Sequence, residues 1–150
     1  MLFCGCVCVC VFVAYGYFYF LTEDKENLHW VLKDGLGTTL LTQTRYVNNS
    51  IQVPASGNYF VYSFVTFSSA MFHKQHILNH YVYRRNRLAP ELQLLLMDKQ
   101  TQLGDNLEYQ SSFLTAVLQL EADDRIETKV TDPSAIYPST FSNYMGLFKI

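Results

Sequence analysis

His73, His76 and His80 form the one cluster of histidines in the chain, a residue type that ligates metals. On a strand, where side chains alternate, His76 and His80 share a face and His73 points away; only a helix would gather all three. No HxH pair and no neighbouring carboxylate completes a metal site, so a polar loop running into a strand edge is the simpler reading. Cys4, Cys6, Cys8 and Cys10 alternate with other residues, which is wrong for a tetrahedral site built from spaced pairs. None of the four lies from Thr22 onward, so no disulfide framework holds that part. Nucleophilic and phosphate chemistry lack a starting point: there is no GxSxG, GxGxxG or GxxxxGK[ST], and the cysteines have no partner histidine. Asp123 and Asp124 are adjacent carboxylates, but side by side ahead of a strand they read as turn formers. The expectation is a protein without catalytic residues, metal or cofactor.

Two sets of polar residues suit recognition instead. Arg84, Arg85 and Arg87 run into the Leu88-Ala89-Pro90 turn, either as a solvated corner or as a surface for an acidic partner. Asn48-Asn49-Ser50 is an N-glycosylation acceptor at Asn48, relevant if this part of the chain is extracellular.

The element that organises these residues is the run GNYFVYSFVTF from Gly57 to Phe67. Alternation puts Tyr59, Val61, Ser63, Val65 and Phe67 on one face and Phe60, Tyr62, Phe64 and Thr66 on the other. A solvent-facing strand would be polar at every second position. Helices cover both faces of a parallel sheet, but no helical period recurs between the strand-like runs. The second face is therefore expected to be covered by another copy of the chain.

Strand-like segments recur every eight to fifteen residues: Leu28 to Leu32, Thr38 to Leu41, Arg45 to Val53, Tyr59 to Ser68, Ile77 to Arg84, Gln93 to Lys99, Glu108 to Leu120, Arg125 to Thr131 and Asn143 to Ile150. Turn chemistry separates them at Asp34-Gly35, Asn48-Asn49, Pro54 to Gly57, Asn86 to Pro90, Gly104-Asp105, Asp123-Asp124 and Pro133 to Pro138. That rhythm predicts an all-β sandwich or barrel. Glu91 to Lys99 has helix-forming composition, yet its close neighbours leave no room for three turns, and it is read as a strand.

A length of 150 residues suits one domain large enough to bury a core without staples. Net charge of −2 excludes the electrostatic footprint of a nucleic-acid binder. Met1 to Leu21 carries no charge and is as long as the roughly 20 residues that cross a bilayer as a helix. No Lys or Arg precedes it to set an orientation, and its Cys, Val, Tyr and Phe favour strand. Residues 1–21 are thus either a membrane anchor or a first-strand surrogate, and 22–150 form the domain.

LHW at Leu28 to Trp30, VPASGNYFVYSFVTF, HYVYRRN, SSFLTAVLQLEADDRI and the closing NYMGLFKI together resemble the tumour necrosis factor ligand family, over Leu28 to Ile150. The resemblance implies a jelly-roll β-sandwich of two antiparallel sheets assembling as a homotrimer. It implies a cytokine ligand displayed as a type II membrane protein or shed into the extracellular space. Its partners would be cysteine-rich receptor ectodomains bound between subunits, signalling in immune, inflammatory or cell-death responses.

Carried over, Phe60, Tyr62, Phe64, Phe113, Tyr144, Phe148 and Ile150 would face the trimer axis. Receptor contacts would come from Arg87, Leu88, Ala89 and Pro90 and from Ile136, Tyr137 and Pro138. Phe64 stands where the family usually has glutamine, implying a drier axis, and Ala89 stands where many members place a tyrosine, which makes Leu88 the substitute anchor. The loops near Phe72 and Leu103 lack the cysteines of a disulfide found in some members, and the family's first strand falls on Val13 to Phe20. The rival of another class is a complement C1q-like trimeric recognition module, which would bring Gly-X-Y triplets; none exists here. A cupin-type metalloenzyme is a third.

Overall fold

The computed structural model describes residues 12–13, 44–68, 77–89, 91–101, 109–137 and 142–150. The histidines His73 and His76, the segments Leu28 to Leu32 and Thr38 to Leu41, the cysteines, and the turn prolines Pro90 and Pro138 lie outside them.

Among the described residues nine strands follow one another: β1 (Phe12–Val13), β2 (Arg45–Val47), β3 (Ser50–Gln52), β4 (Gly57–Ser68), β5 (Ile77–Arg85), β6 (Leu92–Thr101), β7 (Tyr109–Leu120), β8 (Arg125–Val130) and β9 (Tyr144–Lys149). A 3-10 turn, Pro133–Ala135, precedes the last of them, capped by the Asp132 carboxylate accepting from the Ser134 amide. The strands form two antiparallel sheets, ordered β1-β9-β4-β7 and β2-β3-β8-β5-β6. The pairings are nested, β5 with β6 inside β4 with β7, inside β3 with β8, inside β1 with β9. A long hairpin folded over in this way is the jelly roll, as expected.

One reading of the sequence changes and one is borne out. Arg45 to Val53 is not one strand but a hairpin, because Asn48 and Asn49 both take positive φ, 49° and 60°, the two-residue turn that reverses a strand tightly. Glu91 to Lys99 is indeed a strand, with a bulge opposite Val82 and Tyr83 that lets apolar residues of both parities sit on β6.

The core lies between the sheets. Tyr59, Val61, Val65 and Phe67 of β4 meet Leu78 and Val82 of β5, Ile126 and Val130 of β8, and Met145 and Leu147 of β9. A polar thread crosses this core. The fully buried His80 lies 2.8 Å from Ser63 Oγ through Nε2 and 2.8 Å from Ser112 Oγ through Nδ1. Ser63 is in turn 3.1 Å from Thr128, and Ser112 donates to the Asp98 carboxylate. An ionised carboxylate only accepts, so the direction of the thread is fixed: Ser112 gives its proton to Asp98, His80 Nδ1 gives to Ser112, and Nε2 accepts from Ser63. His80 is thus held as the neutral Nδ1 tautomer, in the core and not at the strand edge its sequence context suggested. The Ser63, His80 and Ser112 side chains are sealed from solvent, so no substrate reaches these atoms.

Burial pushes the His80 pKa down to about 4, against a smaller opposing pull from Asp98. Burial alone would raise Asp98, but hydrogen bonds from Ser112, Gln100 and the Lys99 amide together with His80 hold it below the usual range. For His80 the folded value lies under the unfolded one, so its contribution is complete above pH 6.5, falls as the unfolded chain takes up a proton, and is lost by about pH 4. We expect denaturant unfolding of the full chain to lose about 3 kcal/mol across that window and His80→Gln to flatten the slope. An unchanged slope in the variant would assign the acid sensitivity to other groups.

Candidate aromatic interface and recognition loops

Alternation on β4 sends Phe60, Tyr62 and Phe64 away from the core, and the register on either side extends them into three rows. Phe148, Phe60 and Val117 make one, Gly146, Tyr62 and Thr115 the next, and Tyr144, Phe64 and Phe113 the third. Ring follows ring across the sheet. Phe148 meets Phe60 at 5.1 Å, Phe60 and Tyr144 each meet Tyr62 at 6.2 Å, Tyr144 stacks on Phe64 at 5.1 Å, and Phe64 meets Phe113 at 6.0 Å. Gly146 has no side chain in the middle row, and the Tyr62 ring is accordingly hemmed in by its neighbours, only 8% exposed in a single chain. Phe113, Val117 and Ile150 remain 54%, 57% and 63% exposed.

All seven residues expected at an axis thus lie on one outer face. Sequence reasoning missed Val117, which shares the Phe113 parity on β7, and Leu94 and Met97 on β6, also about half exposed. β6 and β7, edge strands of the two sheets, pack against each other, and register sets Leu94 and Met97 beside Tyr83 and Tyr81 on the outer face of the second sheet. A run of alternating exposed apolar residues on β7 was the available signal; the β6 bulge hid the other half.

The two loops expected to bind a receptor fall at opposite ends of the sandwich. The turn after β5 adjoins Arg125, whereas the loop from Thr131 follows the far end of β8, roughly 20 Å away for six extended residues. Within one subunit they make no common site.

At the first end, Arg87, Leu88 and Ala89 are exposed, Leu88 87% so. The turn is fastened from beneath. Arg84 faces inward and contacts the buried Asp124 at 2.7 Å, whose Oδ2 also accepts from the Glu121 amide at 2.8 Å. Asn86 donates to Glu121 at 3.1 Å and accepts from the Leu88 amide at 2.7 Å, while Arg87 reaches Asp123 at 3.4 Å. The arginine run is therefore split: Arg84 holds the turn, and Arg85 and Arg87 face out. Asp123, at φ 68°, forms the adjoining turn, as read from the sequence.

At the other end, Ile136 is a correction. It bridges Phe67 and is only 4% exposed, packed into the core where no receptor touches it. Tyr137 is exposed, edge-on to Tyr109 at 4.8 Å, its amide donating to Thr66 at 2.8 Å and its carbonyl accepting from Asn143 at 2.7 Å. Ile136 thus pins the loop from which Tyr137 projects. Asn48 stands exposed on the β2–β3 turn, while the Ser50 hydroxyl is buried and donates to Val47 at 2.6 Å. Among the described residues no group of three or more His, Cys, Asp or Glu side chains could hold a metal ion, and no helix is long and apolar enough to cross a membrane. The backbone of Phe12–Val13 pairs with Met145 and Tyr144 of β9.

A jelly roll thus carries an aromatic outer face on one sheet and anchored, exposed loops at both ends. Residues 28–150 match the model of the TNF (Tumour Necrosis Factor) family, and the chain belongs to that family. Relatives include tumor necrosis factor ligand superfamily member 6, Fas ligand, of Mus musculus, 31% identical over 125 residues, or 82% of this chain and 44% of the relative. The same protein of Felis catus is 30% identical over 131 residues, with the same shares. Member 15 of Mus musculus is 28% identical over 134 residues, 81% of this chain and 53% of the relative. The chain spans about half the length of these relatives.

Removing the carboxylate beneath the first turn tests how it is held. Asp124→Ala leaves Arg84 without its buried partner, and we expect a loss of about 3 kcal/mol in chemical denaturation. A loss below about 1 kcal/mol would show that the pair does not anchor the turn.

Proposed function

We propose that this chain is the receptor-binding domain of a homotrimeric cytokine ligand, which clusters cysteine-rich receptors of the tumour necrosis factor receptor family at the cell surface. The observation that carries this reading is the aromatic outer face of β4, β7 and β9. Where different patches of successive copies meet through this face, the contact is head-to-tail and closes into a ring when the rotation between copies allows. The magnitudes favour a broad contact. Covering Phe113, Val117 and Ile150 contributes about 2 kcal/mol each at most, comparable with the lowest cost of association, about 4 kcal/mol. The half-buried Phe60, Phe64, Tyr144 and Phe148 have to be covered as well.

Family membership supports the receptor class, and the likeness to Fas ligand supports roles in immune and cell-death signalling. The ligand would act as a type II membrane protein or in shed form and carry glycan at Asn48; the pairing of Phe12–Val13 with β9 supports the first-strand reading of residues 1–21 over the anchor. Receptor would lie between subunits, touching Arg87, Leu88, Ala89 and Pro90 of one copy and Tyr137 and Pro138 of the next. The separation of these loops within one chain supports a site made by two.

Phe113→Glu is the sharper probe of assembly, because Tyr62 is already enclosed within one subunit and its replacement would weaken the fold itself. Light scattering of the full chain should give a trimer, and Phe113→Glu a folded monomer. A stable monomer for the unmutated chain would overturn the reading. Tyr137→Ala should keep the trimer and cost roughly 2 kcal/mol of affinity for the cognate receptor in surface plasmon resonance. Unchanged affinity would remove Tyr137 from the site.

A further inference from the structure

Register assembles a row of side chains that the sequence scatters. Arg45 of β2 pairs with Gln52 of β3, Gln52 with Arg125 of β8, and Arg125 with Arg85 of β5. All four have the parity that points away from the core, on strands about 4.8 Å apart, so three guanidinium groups and an amide span roughly 14 Å of the outer sheet surface. The row continues into an open pocket of about 430 Å³, lined by Gln52, Arg85, Asn86, Arg87, Asp123 and Arg125.

The charge there does not cancel. Glu127 holds Arg85 at 3.5 Å and Asp123 holds Arg87 at 3.4 Å, while among the described residues neither Arg125 nor Arg45 is in an ion pair. Arg125 and Arg85 stand directly opposite each other, a like-charged arrangement that costs stability unless an anion relieves it. This excess of two positive charges sits on a chain whose net charge is −2.

We propose that the row is a docking site for a linear sulfated polysaccharide of the cell surface, which would hold the ligand near the membrane independently of receptor. Guanidinium forks match the oxygens of sulfate and carboxylate groups in pairs, and Gln52, whose amide nitrogen donates to Asp123 at 2.8 Å, keeps its carbonyl oxygen to accept from a sugar hydroxyl. The lining distinguishes this partner from an acidic protein segment. Protein contacts centre on apolar or aromatic anchors in well-packed pockets, and no apolar side chain lines this pocket. A row extended across four strands also fits repeating anions better than one phosphate.

Full-length protein captured on immobilised heparin in 0.15 M NaCl provides the test. Arg125→Gln should weaken binding about tenfold and Arg45→Gln with Arg125→Gln further, whereas Lys99→Gln, the same loss of charge on β6, should change nothing. N- and O-desulfated heparin should not compete, nor should polyglutamate. Equal weakening by Arg125→Gln and Lys99→Gln would reduce the effect to net charge and overturn the site. Polyglutamate competing as well as heparin would overturn the sugar in favour of an acidic protein surface. Thermal unfolding checks that the variants are folded, and the competition series on the unmutated chain decides even where one is not.

Discussion

A strand has two faces, and on β4 neither is polar. Everything else in the architecture answers to that constraint. The inner face, with Tyr59, Val61, Val65 and Phe67, is satisfied within the chain by the second sheet, which is why the nested hairpin must roll up and not lie flat. On the outer face β7 and β9 lie beside it and add further rings, with no layer above them among the described residues. Six aromatic side chains packed edge to edge limit their own exposure, to 8% for Tyr62, but contacts within a sheet cannot cover the sheet. The demand for a second copy of the chain arises from the geometry of the pleat, before any likeness to other proteins is considered.

The polar thread through the core does the opposite job. Ser63 and Ser112 belong to the aromatic sheet, His80, Asp98 and Thr128 to its partner, so the hydrogen bonds run between layers whose other contacts are apolar. Apolar packing tolerates sliding; a chain of donors with a fixed direction does not, because a one-residue slip would bury each group unpaired. A neutral His80 suits this role, since it donates at one nitrogen and accepts at the other. The fold thus combines a permissive driving force with one specific lock.

How much of this was legible in the sequence follows from the distances along the chain over which each feature is encoded. Alternation acts over two residues, so β4, β5, β7, β8 and β9 and the outward parity of Phe60, Tyr62 and Phe64 could be read directly. The partners of His80 lie 17 residues before it and 32 after it, and nothing local distinguishes a histidine in such a thread from one at a strand edge. Ile136 failed for a related reason: a large apolar residue between two prolines looks like an exposed anchor until its bridge to Phe67 is known. The arginine run misled in the opposite sense. Adjacent residues on a strand face opposite ways, so what reads as one basic cluster is an internal brace at Arg84 and a surface charge at Arg85.

The same long-range encoding separates the two ends of the sandwich. The end at Arg125 is rich in charge, its turns tied together by Arg84, Asn86 and Arg87, so exposed Leu88 rises from a fastened base. The end at Thr131 relies on apolar pinning by Ile136 and on backbone bonds to Thr66 and Asn143, with Tyr137 projecting. A partner that touches both must run parallel to the strands for roughly 20 Å, the length of β8, so an elongated molecule fits and a compact one does not. Such a partner crosses no ordered side-chain bridge between the ends on a single subunit. On the proposed assembly, its affinity would depend on how two neighbouring copies are set beside each other, which would return control of recognition to the aromatic face.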